Sequence, residues 1–139
     1  MKNSLVTVDG SEASLRALQA ALDLVPSDAR IHVVTVQAPI LSGNVQRFIP
    51  ASEIDAYYQA EGEKALKEAR ERVEQAGRQA YFEVLVGQIA PTIADYISRN
   101  NIDHLFMGTR GLGGVSGLVL GSVTTRVLTQ VEIPVTLIR

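Results

Sequence analysis

The chain has 139 residues, of which 46% are hydrophobic and 20% charged, and its formal net charge is −2. This balance excludes a wholly disordered chain and predicts one domain over residues 1–139, without the cationic surplus that nucleic acid or an anionic membrane surface attracts. The absence of cysteine excludes disulfides and cysteine-ligated metals and favours a cytoplasmic location, and no apolar run approaches the roughly 20 residues of a membrane span.

The first half of the chain alternates apolar runs with helical periodicity. Leu5–Val8 predicts a short strand that ends at an Asp-Gly turn, and a helix of about 14 residues follows, with Ser11 as its N-cap. Ile31–Val36 predicts a second strand. The stretch from Gln37 to Pro50 shows no period and predicts a loop long enough to form a lid.

The second half continues the alternation. The longest helical pattern runs from about Ser52 to Ala76, with Gly77 as its natural C′ residue. The remaining predicted elements are a strand at Tyr81–Val86, a helix marked by Ile89, Ile93, Ala94 and Ile97, a strand at Leu105–Met107, a helix at about Ser122–Val131 and a strand at Ile133–Ile138.

This order, four βα pairs followed by a strand, predicts an α/β fold with a doubly wound parallel sheet. Parallel strands need crossover connections, and strands buried on both faces appear as continuous apolar runs. Right-handed crossovers place every βα loop at the carboxyl edge of the sheet, where such folds bind ligands. The loops of interest are therefore 9–11, 37–50, 87–89 and 108–121.

Glycine is concentrated in the last of these loops. Six of the eleven glycines lie between residues 108 and 121, at the end of a strand and before a helix. Such a segment favours phosphate binding, because exposed amides and a helix N-terminus attract anions; a flexible loop without a ligand is the alternative. The segment lacks the GK[ST] of a Walker A loop and the spacing of a dinucleotide fingerprint.

The spacing Gly108-x2-Gly111-x9-Gly121-Ser122 resembles the signature of the universal stress protein family, in its ATP-binding branch. The opening VTVDGSEAS and the segments VVTVQAP, MGTRG and IPVTLIR resemble other strands of that family. The resemblance covers essentially the whole chain. It implies a Rossmann-like five-stranded parallel sheet in the order 3-2-1-4-5, with helices on both faces, which the residue pattern alone does not determine.

The resemblance also implies that an adenine nucleotide lies across the crevice beside strands 1 and 4. The backbone amides of Gly121, Ser122 and Val123 would bind phosphate, with the Ser122 and Thr124 hydroxyls as further donors. A β-branched side chain at Gly121 is expected to block the phosphate and to demand an unfavourable φ. The residues matched to phosphate and ribose contacts are Gly108, Arg110, Gly111, Gly121, Ser122, Val123 and Thr124.

Four further residues match the family's base and ribose side. Thr7, Val8, Val36 and Met107 correspond to positions that line the adenine pocket, and for Val8 and Met107 core packing is the plain alternative. Asp9 would accept hydrogen bonds from the ribose or the adenine amine, or hold Mg²⁺ as a metal ligand; its alternative is a turn-forming role. Arg110 would screen phosphate charge, or be a solvated loop residue.

The predicted function is a nucleotide-binding stress-response module, with at most slow ATP hydrolysis. Fast phosphoryl transfer needs a metal clamp, a positioned base and a cationic group. The sequence assigns no catalytic residue, and neither His32 nor His104 is given a catalytic role. An ATP-independent interaction protein and a partner-stimulated ATPase or phosphotransferase are the alternatives. The resemblance further implies a homodimer through strand 133–138, whose apolar edge favours pairing. Nucleotide binding would order the 108–121 loop and change the surface seen by a protein partner, which the sequence does not identify.

Overall fold

The computed structural model describes residues 1–39, 48–109 and 120–139. Its five strands form one parallel sheet in the order β3-β2-β1-β4-β5, which confirms the doubly wound topology and the order that the resemblance implied. The elements are β1 Asn3–Thr7, α1 Glu12–Leu24, β2 Arg30–Gln37, α2 Ala51–Gln75, β3 Tyr81–Val86, α3 Ile89–Arg99, β4 His104–Gly108, α4 Ser122–Gln130 and β5 Val135–Ile138.

Two hydrophobic cores lie on opposite faces of this sheet. α1 and α2 cover one face, where Val6, Val33 and Phe106 are fully buried. α3 and α4 cover the other face, where Leu5 and Leu105 are fully buried. Successive residues of a strand point to opposite faces, so the apolar runs of β1, β2 and β4 supply both cores at once.

The element boundaries follow local chemistry. The Ser11 side chain accepts a hydrogen bond from the Ser14 amide and caps α1, as predicted. Gly77 follows α2 at φ +67, in the left-handed region that a C′ residue adopts. The last strand is shorter than predicted: it begins at Val135 rather than Ile133, and Pro134 contributes only a carbonyl, which accepts from the Leu105 amide.

The amino edge of the sheet is held by side chains bonded to backbone groups. Arg78 donates from Nη1 to the Leu22 and Val25 carbonyls, at 3.2 and 3.0 Å, and from Nη2 to the Pro26 carbonyl at 3.0 Å. It thereby satisfies carbonyls at the end of α1 that have no partner within the helix. Asp103 Oδ2 accepts from the Lys2 and Asn3 amides, at 2.8 and 3.1 Å, and ties β1 to the start of β4.

Candidate functional site

The candidate site is the crevice at the carboxyl ends of β1 and β4. The chain leaves β1 toward α1 on one face and leaves β4 toward α4 on the other, so the two connections diverge here. This divergence is the topological switch point at which open α/β sheets bind ligands. Residues 9–11, Thr109 and Gly121 border it, and residues 110–119 lie outside the described part of the chain.

The turn after β1 is braced by short-range hydrogen bonds. Asp9 Oδ1 accepts from the Ser11 amide at 2.9 Å, and Gly10 between them has φ +85. The Ser14 hydroxyl donates to the Ser11 carbonyl at 2.9 Å and accepts from the Asp9 amide at 3.3 Å. Asp9 therefore has the turn-forming role, and its exposed carboxylate retains a second oxygen for a ligand; that contact stays a prediction.

The start of α4 is fastened to the end of β4 through Thr109. The Thr109 amide donates to the Ile138 carbonyl at 2.8 Å, and its own carbonyl accepts from the Gly121 amide at 2.9 Å. The buried Thr124 hydroxyl donates to the Gly108 carbonyl at 3.2 Å. Two donors expected to face phosphate, the Gly121 amide and the Thr124 hydroxyl, thus hold the helix against the strand in this structure.

The two described glycines of the motif are needed for close approach, not for a special φ. A Cβ on Gly108 would lie 2.9 Å from the Ala13 carbonyl carbon, so this glycine lets α1 pack on β4. Gly121 has φ −64, which any residue adopts, and a Cβ there would lie 3.2 Å from the Thr109 carbonyl oxygen. The expectation that a side chain at Gly121 demands an unfavourable φ is therefore wrong; only the crowding remains.

The first turn of α4 presents backbone donors to the crevice. Gly121 is its N-cap, none of the described side chains caps it, and no acidic residue lies in its first turn. The intrahelical ladder begins with the Thr125 amide, which donates to the Gly121 carbonyl at 3.0 Å. The amides of Ser122 and Val123 precede it at the positive end of the helix dipole, and both residues are exposed.

The backbone N–H and C=O of Val36 border the same crevice from the β2 side. The Val34 carbonyl accepts from the Val8 amide of β1, whereas the Gln37 carbonyl accepts from the Gly87 amide beyond β3. Backbone groups alternate sides along a strand, so the N–H and C=O of Val36 point toward β1. The pairing of β1 with β2 stops at Thr7 and Val34, which leaves this donor and acceptor beyond the end of β1.

The other residues predicted to line the adenine pocket are Thr7, Val8 and Met107. Thr7, at the end of β1, is half-buried. Val8 packs in the α1–α2 core and Met107 in the α3–α4 core, so the plain alternative of core packing holds for both, and their ligand contacts stay predictions. Arg110 and Gly111, and most of the loop predicted for 37–50, lie outside the described residues.

Both histidines bond to side chains away from the crevice. His32 Nδ1 lies 2.7 Å from Tyr96 Oη, and His104 Nε2 lies 2.7 Å from Thr136 Oγ1. Burial lowers the pKa of both imidazoles, and the Arg30 charge lowers the pKa of His32 further. Burial also raises the pKa of Tyr96 to about 12, so its hydroxyl stays protonated at neutral pH. These contacts give the histidines packing roles.

Sequence reasoning missed two residues that shape the crevice, Ser14 and Thr109. Thr109 follows Gly108 directly, and its peptide joins β5 to α4; Ser14 is the third residue of α1 and braces the Asp9 turn. The available signal for Thr109 was a polar residue next to a motif glycine. For Ser14 it was a second serine in the first turn of a capped helix. Within the described ranges, no group of three or more metal-ligating side chains occurs, and no helix combines the length and apolarity of a membrane span.

The fold and crevice define a doubly wound α/β protein with a crevice at the switch point of its sheet. The chain belongs to the universal stress protein family, whose sequence model matches residues 1–139. Universal stress protein YxiE of Bacillus subtilis is 30% identical over 145 residues, which cover 97% of this chain and 97% of that protein.

Solved structures of the family share the fold. Universal stress protein UspA from Lactobacillus plantarum superposes with a TM-score of 0.82 at 23% identity, covering 99% of this chain and 97% of that one. A universal stress protein in complex with cAMP superposes with a TM-score of 0.72 at 26% identity, covering 99% and 97%. An Arabidopsis thaliana family member with AMP bound superposes with a TM-score of 0.67 at 20% identity, covering 99% and 91%.

Proposed function

We propose that this protein is a nucleotide-dependent stress-response module that binds ATP in the crevice between β1 and β4. The observation that carries the proposal is the pair of open backbone sites on either side of the crevice, the Val36 peptide and the first turn of α4. The AMP and cAMP complexes of family members support an adenine nucleotide as the ligand.

The Val36 peptide supplies the reason for choosing adenine. Its C=O accepts and its N–H donates on the same edge of β2, and adenine presents an amine donor next to a ring-nitrogen acceptor. Guanine presents the opposite order at that edge, an oxygen acceptor next to a ring N–H. A base held in the orientation that pairs adenine with these two groups therefore leaves guanine with two mismatched groups.

The phosphates would lie at the start of α4. The amides of Ser122 and Val123 and the Ser122 hydroxyl are the donors that geometry leaves available, and the helix dipole adds to them. Gly121 has no Cβ to crowd this position. In this proposal Gly108, Thr109 and Thr124 hold the start of the helix in place, and Arg110 and Gly111 complete the phosphate side from the loop.

The Asp9 carboxylate fits a supporting role toward ribose or Mg²⁺. One of its oxygens is bonded to the Ser11 amide, and it is exposed at the crevice. Mg²⁺ on a nucleotide takes one or two protein carboxylates and otherwise phosphates and water, so a single carboxylate suits it. Bound there, the ion would neutralise phosphate charge; Asp9 would orient it and repel a phosphate placed directly on the carboxylate.

The module would act by binding rather than by fast catalysis. The described crevice offers one carboxylate, main-chain donors and no lysine, so we assign at most slow hydrolysis. A partner-stimulated ATPase or phosphotransferase, and an ATP-independent interaction protein, remain the competing functions. We also propose a homodimer paired through β5, whose outer edge is apolar, and a cytoplasmic location, which suits a chain without cysteine.

Proline and alanine at Ser122 test the proposal. Ser122 is the first residue of α4, where proline is tolerated, and Gly121 before it has φ −64 and ψ 158, which suit a following proline. Ser122→Pro removes the amide donor and the hydroxyl, whereas Ser122→Ala removes only the hydroxyl. Calorimetric titration with ATP–Mg²⁺ should give a Kd at least about tenfold weaker for Ser122→Pro than for Ser122→Ala.

A parallel titration with GTP–Mg²⁺ tests the base assignment, and the wild type should bind it at least about tenfold more weakly than ATP–Mg²⁺. Equal affinities of the proline and alanine variants for ATP–Mg²⁺ would remove the α4 amide from the site. Failure of the wild type to bind ATP–Mg²⁺ would leave the ATP-independent interaction protein as the better account.

A further inference from the structure

A second cavity lies at the amino edge of the sheet, at the far end from the nucleotide crevice. It has a volume of about 460 Å³ and opens between the α1–β2 and α2–β3 connections. Arg30, Gly77, Arg78 and Tyr81 are among the residues that line it, and within the described part of the chain its lining includes no aspartate or glutamate.

The two arginines of this cavity differ in how they are held. The terminal nitrogens of Arg78 are bonded to the carbonyls that end α1, which fixes the guanidinium and partly offsets its charge with the negative end of the helix dipole. The Arg30 backbone is anchored, because its amide donates to the Lys2 carbonyl at 2.9 Å. Its exposed side chain forms no ion pair with any described residue, so Arg30 carries the uncompensated charge.

The surroundings of Arg30 agree with an open cationic site. Tyr81 stacks on His32 with ring centroids 5.1 Å apart and remains 57% exposed, so it forms a fixed wall of the cavity. Gly77 has no heavy atom within 4 Å of the position that a Cβ would take, so this side of the cavity is open space.

We propose that this cavity binds a small oxyanion, a phosphate or carboxylate group, with the Arg30 guanidinium as its main ligand. A guanidinium presents paired N–H donors that match two oxygens of such a group, and its charge strengthens both hydrogen bonds. The fixed Arg78 adds a second positive charge across a cavity that has no acidic lining. The site is separate from the nucleotide crevice, because it lies at the opposite ends of the strands.

The test is an NMR titration of the ¹⁵N-labelled protein with inorganic phosphate and, separately, with acetate, at constant ionic strength set by chloride. Saturable shifts of the Ala29, Gly77 and Ala80 amides with at least one anion are expected. The anion that causes them tells whether a phosphate or a carboxylate is preferred. Arg30→Gln should weaken this binding at least about tenfold, whereas the matched variant Lys67→Gln, on the exposed face of α2, should leave it unchanged.

Two results would overturn the proposal: no saturable shift at these amides with either anion, or equal shifts in the wild type and Arg30→Gln. Phosphate bound in the nucleotide crevice would move the Ser122 and Val123 amides instead, so the two sites report separately. The experiment can therefore support the oxyanion site even if the nucleotide proposal fails. It can equally contradict the oxyanion site while the nucleotide proposal holds.

Discussion

The two ends of the same five strands differ in how completely the described side chains satisfy leftover backbone groups. At the amino edge, the side chains of Arg78 and Asp103 take up three carbonyls and two amides that secondary structure leaves over. At the carboxyl edge, Asp9, Ser14 and Thr124 bond to backbone groups of the turns. No described side chain caps the first amides of α4, and the N–H and C=O of Val36 lie beyond the end of β1. Leftover backbone groups thus remain open mainly at the carboxyl edge, where the proposed ligand would complete their hydrogen bonding.

This contrast separates stability from recognition within one small domain. A buried or helix-end polar group without a partner costs free energy, so partners supplied by the protein itself stabilise the fold. Groups that await a ligand contribute nothing until the ligand binds, and binding then stabilises the folded state by mass action. Substitutions at the two ends should therefore have different readouts.

The largest expected effect is that of Arg78→Ala. It removes three hydrogen bonds from a charged donor to the end of α1 and should lower the free energy of unfolding by about 2–3 kcal/mol. Urea denaturation measures this loss. Arg78→Lys, which keeps the charge without the planar fork, should recover only part of it.

The affinity for ATP–Mg²⁺ should not change in Arg78→Ala, whereas Ser122→Pro should lose affinity and keep its stability. A loss of nucleotide affinity in Arg78→Ala comparable to that in Ser122→Pro would contradict the separation of the two edges.

A smaller effect is expected for Asp103→Asn. Burial raises the pKa of the Asp103 carboxyl, but the Lys2 and Asn3 amides, the N-terminal charge and His104 outweigh this and hold the pKa below its usual value. The carboxylate therefore stabilises the fold above the unfolded pKa of about 3.9, and this contribution is lost as the pH falls through the lower folded pKa. The free energy of unfolding of the variant should be about 1–2 kcal/mol lower at pH 7. It should also fall less than that of the wild type as the pH is lowered, and circular dichroism follows both changes.

The smallest effect, and one of opposite sign, is expected for Ser4→Ala. The fully buried Ser4 hydroxyl of β1 has no hydrogen-bond partner among the described residues, and neither has Asp103 Oδ1, so the hydrogen bonding of the amino edge is not complete. Its removal should leave the free energy of unfolding unchanged or raise it by up to about 1 kcal/mol, as measured by thermal denaturation. The control is Ser14→Ala, which removes a hydroxyl bonded to the Ser11 carbonyl and should destabilise. A clear loss of stability in Ser4→Ala would mean that the hydroxyl has a partner, such as a buried water.

The strands and helices could be predicted because buried parallel strands and amphipathic helices leave local patterns. Ser11 as N-cap and Gly77 as C′ residue were predictable for the same reason, since both depend on neighbours in sequence. The strand order came only with the family resemblance, because periodicity does not record which strands pair. The Arg78 contacts were hidden too, since its partners lie 52 to 56 residues earlier in the chain.

The candidate site was predictable as a region but not in its details. The glycine spacing located the loop after β4, and the Asp-Gly pair located the turn after β1. The reason for Gly108, contact with Ala13 of α1, depends on helix–sheet packing that spacing does not express. Likewise, the direction of the Val36 peptide depends on the register between β1 and β2.

The proposed recognition groups at Val36, Ser122 and Val123 are peptide bonds, and every residue except proline carries the same donor and acceptor there. Substitutions of these side chains therefore alter the backbone groups little, provided that the strand ends and the start of α4 do not move. A survey that ranks positions by reactive side chains would pass over this cleft. Mutational scanning should find it mainly through proline, and through bulky replacements of the small residues that set the spacing.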